Sequence, residues 1–125
     1  AVSEPAATAQ NAGFVRDDAV LFVVAITDED EQPVPYQSAQ EIMDKLVAAK
    51  GTVNNVVFLG IGGGSSCDGP YGSADDAVRL REVATLFQAE NRGLFWDLCQ
   101  GDLEMAFQAA LAVVDSACIE FDPPG

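Results

Sequence analysis

Four consecutive acidic residues, Asp28 to Glu31, follow an apolar, β-branched run at positions 20–26 and a single Thr27. An apolar run of this length without alternation is typical of a strand buried on both faces of a parallel sheet. The carboxyl end of such a strand is where open α/β sheets place their ligands. Because no basic residue is adjacent, Asp28 is predicted to meet a cation, with a solvated acidic turn as the alternative.

The acidic turn cannot be a complete metal site by itself. It lacks the glycine at the sixth position and the downstream glutamate of an EF-hand loop. If it binds a metal, it supplies one or two ligands to a site completed elsewhere, with Asp28 first and Glu29 and Asp30 as further candidates. A hydrolase in which Asp28 and Asp68 hold a metal is another hypothesis. Nothing else in the sequence favours it, and the chain is predicted not to be an enzyme.

Composition limits the other classes of function. The 125 residues contain no histidine, which excludes Ser-His-Asp and Cys-His nucleophilic machinery within this chain. Twenty acidic residues against six basic ones give a net charge of −14, which disfavours nucleic acid and anionic membrane surfaces as partners. No apolar stretch approaches the roughly 18 to 20 residues of a membrane span. We expect one domain over 1–125, with a lead-in at 1–16 and a tail at 119–125.

The elements that position the acidic turn alternate along the chain. Strands are predicted before Asp28, at 55–61 and at 93–98, and a helix follows each of them. Such alternation predicts an α/β fold, an open parallel sheet with right-handed crossovers and helices on both faces.

Capping signals and apolar spacing predict the three helices. Ser38 with Glu41 forms a capping box, Ser73 with Asp76 is predicted to open the second helix, and Asp102 to cap the third. The predicted core face of the second helix is Leu80, Val83, Ala84 and Phe87. That of the third is Leu103, Phe107, Ala110, Leu111, Val114 and Cys118. Met43 and Met105 are predicted to fill the core.

A glycine-rich stretch at 62–66 follows the second strand and begins a long loop that extends to residue 70. It is not a Walker A motif, since no lysine follows, and its spacing does not match the dinucleotide fingerprint. A mobile surface loop is the favoured interpretation. Phe95 and Trp96, in the third strand, are predicted to pack beneath a helix, with an exposed aromatic binding site as the alternative.

The three cysteines can be sorted by the geometry of a parallel sheet. Cys67 and Cys99 both follow strands and therefore lie at the same edge, so we predict that they pair. Cys118 ends a helix of about 24 Å and lies at the opposite edge, too far from Cys99 for a disulfide. It either pairs with a segment outside this chain, which is favoured, or is a buried free thiol.

The order and spacing of these segments resemble the second half of a von Willebrand factor type A (VWA) domain over roughly residues 14–121. The matching features are the fourth strand ending Thr27-Asp28, the fifth strand ending Gly60-Ile61-Gly62, the sixth helix and strand at 80–87 and 93–96, and the closing helix from Asp102. The lead-in at 13–19 and the closing Cys118 and 121–124 are similar to those of secreted or surface-anchored bacterial members.

The resemblance implies a metal-ion-dependent adhesion module outside the cell or at its surface. Such domains hold Mg²⁺ at the top of the sheet, and a carboxylate of a protein ligand completes the coordination. Of the family's ligands, only the aspartate after the fourth strand carries over, onto Asp28. Glu29 stands where the family often has glycine, and the extra carboxylates make Ca²⁺ an alternative to Mg²⁺. The implied location is secreted, periplasmic or on the cell surface.

The family's Asp-x-Ser-x-Ser motif is absent from the 125 residues. The resemblance therefore implies half a domain, whose amino-terminal half is supplied by another chain or segment. Family members sometimes carry a disulfide between their two ends, which would account for Cys118. The alternative is a small structural or assembly α/β protein whose acidic turn is solvated and holds no metal.

Overall fold

The apolar runs of the chain form the centre of an α/β fold. The computed structural model describes residues 12–30 and 37–123 and has a three-stranded parallel sheet with three helices. In chain order the elements are β1 (Leu21–Ile26), α1 (Ala39–Lys50), β2 (Val56–Gly62), β3 (Cys67–Gly69), β4 (Gly72–Ala74), α2 (Val78–Ala89), β5 (Gly93–Asp97) and α3 (Leu103–Ile119). Short 3₁₀ turns at Val53–Asn55 and Leu98–Gln100 precede β2 and follow β5.

Strand β2 lies at the centre of the sheet, which has the order β1-β2-β5. Val24 of β1 pairs with Leu59 of β2, which in turn pairs with Leu94 of β5. All seven residues of β2 are buried, as its unbroken apolar run predicts. No described strand pairs with the outer edge of β1.

Helices α1 and α2 cover one face of the sheet. Phe58 of β2 stacks on Phe87 of α2, with ring centroids 5.4 Å apart. The predicted core face of α2 is confirmed, and Met43 of α1 is buried as predicted. The predicted capping box of α1 is present: Ser38 and Glu41 exchange side-chain to backbone hydrogen bonds.

Helix α3 covers the other face of the sheet, where Ala110 packs on Leu59 and Ile61. Phe95 packs against the α1/α2 core and Trp96 against the α3 core, as predicted. The indole Nε1 of Trp96 donates to the backbone oxygen of Gly101 at 2.8 Å.

The predicted core face of α3 is wrong in part. The helix buries Ala106, Ala110 and Ala117. Four residues of the predicted core face are exposed, and so is Met105, which was also predicted to fill the core. These exposed residues are Leu103, Met105, Phe107, Leu111 and Cys118. The helix is apolar on several sides, so its large residues do not single out one face. Its small residues let its backbone approach the sheet closely.

A short antiparallel hairpin, β3–β4, occupies part of the stretch predicted to be a mobile loop. Ser73 lies in β4 and does not open a helix, so the second predicted cap is wrong. Helix α2 begins later, at Val78, and its N-cap Ala77 has no side-chain hydrogen bond. The carboxylate of Asp30 instead accepts the backbone N–H of Arg79 at 3.2 Å, from a segment distant in sequence.

The end of α3 returns the chain to the amino ends of the strands. The side chain of Asn55, which is buried, exchanges two hydrogen bonds with the backbone of Asp122, at 2.6 and 3.1 Å. Buried Arg92 forms an ion pair with Glu120 at 2.7 Å. Residues 1–11 of the predicted lead-in, Glu31 of the acidic turn and residues 124–125 of the predicted tail lie outside the described part of the chain. No helix in the described part is both long and apolar enough to cross a membrane.

Candidate functional site

The carboxyl ends of the strands meet the β3–β4 hairpin at one edge of the sheet and form an open cleft of about 460 Å³. Oxygen-bearing side chains dominate its lining. The lining residues are Asp28, Glu29, Ser66, Cys67, Asp68, Ser73, Ala74 and Asp75.

Asp28 is held in this cleft through its backbone. The N–H of Thr27 donates to the carbonyl of Ile61 at 3.0 Å, which extends the pairing of β1 with β2 by one residue. The carbonyl of Asp28 accepts the N–H of Asp75 at 2.8 Å. The hydroxyl of Thr27 closes a tight turn with the backbone of Glu29. The carboxylate of Asp28 is exposed and has no hydrogen-bond or ion-pair partner among the described residues.

The two further candidate ligands have different environments. Glu29 lines the cleft beside Asp28. Asp30 does not line the cleft, and one of its carboxylate oxygens caps α2 through Arg79. Its hydrogen bond satisfies a backbone donor that Ala77 cannot reach with its own side chain. Asp30 is therefore a structural cap, and Glu29 is the better placed of the two candidates.

The hairpin brings a second set of oxygen atoms to the cleft. Asp68, Ser73 and Asp75 come from β3, from β4 and from the segment just after β4. Carboxylates and hydroxyls suit hard cations such as Mg²⁺ and Ca²⁺. Within residues 12–30 and 37–123, however, no three His, Cys, Asp or Glu side chains converge closely enough to hold a metal ion. The cleft has suitable donors without a complete coordination sphere.

A disulfide joins the hairpin to the turn after β5. Cys67 and Cys99, which the sequence predicts to pair, are bonded with their Cα atoms 6.1 Å apart. The ring of Tyr71, at the hairpin tip, lies so close over Gly101 that an added Cβ would be 3.0 Å from the ring. The hairpin therefore contacts the 3₁₀ turn after β5 through Cys67 at its base, and the C-cap of that turn, Gly101, through Tyr71 at its tip.

Asp97 organises the same edge from the end of β5. Its Oδ1 accepts the N–H of Gly64 at 3.0 Å and the N–H of Cys99 at 2.9 Å. The first hydrogen bond ties the loop after β2 to β5, and the second opens the 3₁₀ turn. Sequence reasoning missed this residue. The available signal was an aspartate at a strand end, two residues before Cys99, since aspartate often accepts the N–H two residues on.

Arg81 provides a fixed positive charge behind the cleft. Its Nη1 donates to Asp76 at 2.5 Å and to the carbonyl of Gly64 at 2.8 Å. The hydrogen bond with Asp76 raises the pKa of Arg81, against an opposing effect of desolvation. The guanidinium, which is always charged in proteins, holds the loop after β2 against the start of α2.

The glycines after β2 are required by packing, which corrects the prediction of a mobile loop for this part. A Cβ on Gly63 would lie 2.1 Å from the backbone oxygen of Asp75. A Cβ on Gly62 would lie 2.7 Å from that of Ala77. Both glycines are buried, whereas Ser65 and Ser66 are exposed. The backbone leading into α2 therefore packs directly on the end of β2.

Cys118 lies far from this cleft, near the end of α3. Its thiol is exposed and is not in a disulfide, so the alternative of a buried thiol is wrong. The predicted disulfide to a segment outside this chain remains a prediction.

Comparison with known proteins adds no relative: no protein family, curated protein or solved structure matches this chain. The chemistry of the cleft and the surfaces around it must therefore carry the functional interpretation. Two features are informative: the carboxylate of Asp28 and the outer edge of β1, neither of which has a partner among residues 12–30 and 37–123.

Proposed function

We propose that this chain is the carboxyl-terminal half of a VWA-type domain that binds a protein ligand through a divalent cation, outside the cell or at its surface. Another chain or segment supplies the amino-terminal half. The finer layout, an open doubly covered VWA sheet in a bacterial secreted or surface protein, is part of this proposal. The role is binding and adhesion, without catalysis.

One observation carries the proposal: Asp28 lies exposed at the end of a strand whose outer edge has no described partner. An added strand running parallel to β1 would be hydrogen-bonded about 4.8 Å away. Its carboxyl end would then lie beside Asp28, and its following loop would bring further ligands to the same place. The added strand would thus extend the sheet, and its loop would supply the metal ligands that the cleft lacks.

The donor chemistry of the cleft supports a hard cation, Mg²⁺ first and Ca²⁺ as the alternative. Asp28 would supply one oxygen, directly or through a water molecule, and Glu29 stands next to it. A cation held there would attract a carboxylate of the protein ligand, which the acidic chain alone would repel. The described residues fit such a site as partial donors, and the remaining ligands must come from the missing half.

The location is supported by the cysteines. A disulfide between Cys67 and Cys99 is consistent with an oxidising compartment. The exposed thiol of Cys118, at the opposite end of α3, is accessible to a cysteine of the missing half. A secreted, periplasmic or surface location follows from the proposal.

The first test is the intact mass of natively purified protein, measured without and with reductant. We expect reduction to release a second polypeptide that carries an Asp-x-Ser-x-Ser motif. A mass equal to this chain alone, with one free thiol, would contradict the proposal that a disulfide joins the two halves.

The second test measures Mg²⁺ binding by the purified two-chain protein with calorimetry. Asp28→Asn should weaken binding by about tenfold or more, because it removes a charged oxygen ligand. Glu90→Gln is the matched control, since Glu90 is exposed at the C-cap of α2, at the edge of the sheet opposite Asp28. Equal affinities of the two variants would rule out Asp28 as a ligand.

The alternative is a small assembly protein without a metal site, and the exposed, unbonded state of Cys118 is the observation that favours it. Such a protein would unfold cooperatively on its own, and Mg²⁺ would not change its unfolding midpoint. Alkylation of Cys118 without prior reduction would also fit this alternative. A rise in the midpoint with Mg²⁺, lost in Asp28→Asn, would exclude it.

A further inference from the structure

An uncovered apolar groove runs between β1 and α3 on the face of the sheet opposite α1 and α2. One wall is formed by β1 side chains that share this face with Leu59 and Ile61 of β2, according to the strand register. These are Phe22, Val24 and Ile26. Val24 is 37% exposed and Ile26 is 56% exposed. No described residue covers this part of the sheet.

The other wall is a stripe of apolar residues on α3, spaced four apart: Leu103, Phe107 and Leu111. They are 39%, 37% and 52% exposed. The opposite flank of the helix, with Val113 and Ser116, lines a separate cavity at the start of β5. Since β5 and β1 lie on opposite sides of β2, the stripe faces the β1 side.

The dimensions of the groove suit one further helix. Helix α3 contacts β2 and β5, so its axis runs between these two strands. Neighbouring strands lie about 4.8 Å apart and packed helices 8–10 Å apart. A helix beside α3 would therefore lie over β1 and its free edge, and would contact both walls.

The charges that border the stripe and the carboxyl end of β1 are all acidic, whereas Arg16 and Lys50 lie at the amino end of β1, where they line a small cavity with Leu21. Glu104 and Asp115 lie about 20° apart around α3 and border the stripe on its solvent side. Asp28 and Glu29 stand at the end of β1. Neither 17–44 nor 93–125 contains a lysine or arginine. An apolar groove with an acidic rim favours an apolar surface with a basic border.

We propose that this groove binds an amphipathic helix of a different polypeptide, with an apolar face flanked by lysine and arginine. A second copy of this chain is disfavoured, because the chain carries a net charge of −14 and two copies would bring the same acidic rims together. The inference goes beyond the proposed function, since it needs neither a metal nor the side chain of Asp28.

The test uses two synthetic helical peptides of about 18 residues, or five turns, with one identical leucine face. One peptide carries lysine and arginine beside this face, and the other carries glutamate. Binding to the full chain is measured by fluorescence anisotropy in EDTA. We expect the basic peptide to bind, more weakly at high salt, and the acidic peptide not to bind.

Variants locate the binding surface. Leu111→Glu should weaken binding of the basic peptide by about tenfold or more, because it puts a charge on the apolar wall. Glu104→Lys should weaken it by a smaller factor. Val78→Glu is the matched control, because Val78 is 40% exposed on α2, away from the groove. Circular dichroism establishes that each variant is folded.

Several outcomes would overturn the inference. Equal binding of both peptides would show that charge does not select the partner. Equal effects of Leu111→Glu and Val78→Glu would show that the peptide does not bind in the groove. Binding that needs Mg²⁺, or that is lost in Asp28→Asn, would point to the cleft instead. Self-association of the chain that is abolished by Leu111→Glu would identify a second copy as the occupant.

Discussion

The two faces of the sheet are built from the same strands but are covered by helices to different degrees. On the α1/α2 face, Phe58 and Phe87 stack in a closed core. On the α3 face, the helix covers β2 and β5 while Val24 and Ile26 of β1 remain exposed. An edge strand covered on one face only is a surface prepared for pairing. The α1/α2 face has a closed core, whereas a partner on the α3 face would bury the apolar side chains of β1 that are still exposed.

The comparison is tested most strongly by removing one ring from each face. Phe87→Ala should lower the free energy of unfolding by about 3–5 kcal/mol, because it empties a fully buried site. Phe107→Ala, on the exposed stripe of α3, should cost less than about 1 kcal/mol. Urea unfolding measures both. Equal losses would mean that the α3 face is covered as completely as the other.

The disulfide tests how the hairpin is held, since the hairpin belongs to neither core. Replacing Cys67 and Cys99 by serine should lower the free energy of unfolding by about 2–4 kcal/mol, because the bond closes a loop of 32 residues in the unfolded chain. Cys118→Ser, which removes an exposed thiol, should change it by less than about 0.5 kcal/mol. Thermal unfolding of the three proteins gives the comparison, and an unaffected double variant would contradict it.

Two glycines at the carboxyl edge of the sheet differ in packing: Gly63 has close neighbours, whereas Gly69 has open space around it. Gly63→Ala should destabilise the fold by about 1–3 kcal/mol, because its Cβ would meet the backbone oxygen of Asp75. Gly69→Ala is the matched control, since no atom lies within 4 Å of an added Cβ there. If both variants unfold at the same urea concentration, the end of β2 is not packed as described.

The smallest expected effect concerns the exposed segment before β1. Arg16 donates two hydrogen bonds to Asp18, at 2.9 and 3.0 Å, and these bonds lower the pKa of Asp18. Arg16→Gln should raise this pKa toward its ordinary value. A carboxyl NMR titration measures the shift, and Lys50→Gln should give a smaller rise, because the charge of Lys50 lowers this pKa less than Arg16 does.

The direction of the accompanying pH dependence is fixed by that lowered pKa. The favourable interaction of Asp18 is fully present above the pKa of the unfolded chain and is lost as the pH falls through the lowered folded value. Arg16→Gln should therefore flatten the acid end of the stability curve. Since both side chains are exposed, the change should be close to the limit of detection. A steeper acid limb in the variant would contradict the sign.

Sequence reasoning succeeded where a pattern had one physical meaning. The unbroken apolar run of β2 had to be a buried strand, and Ser38 with Glu41 had to begin a helix. The pairing of Cys67 with Cys99 followed from the single edge at which parallel strands end. These inferences needed only local periodicity and the topology of the sheet.

Sequence reasoning failed where two patterns competed or where the hydrogen-bond partner was distant in sequence. Helix α3 has large apolar residues and alanines on adjacent faces, and packing chose the alanines. The stretch with Ser73 and Asp76 imitates a capping box, yet α2 is capped by Asp30, which no local rule could find. The cleft was located in part, through Asp28, Glu29 and Asp68, whereas the positions of Ser73 and Asp75 depend on the hairpin that was missed.

The contact between Asn55 and Asp122 has a mechanical consequence. It fastens the segment after α3 to the start of β2, whereas Asp28 lies at the other end of the neighbouring strand. If a partner held Asp28 while a load acted on Asp122, the force would run along the strands. The hydrogen bonds across the six paired positions of β1 and β2 would then be loaded in shear, all at once. Such a module would resist pulling along this axis far better than peeling from its free edge.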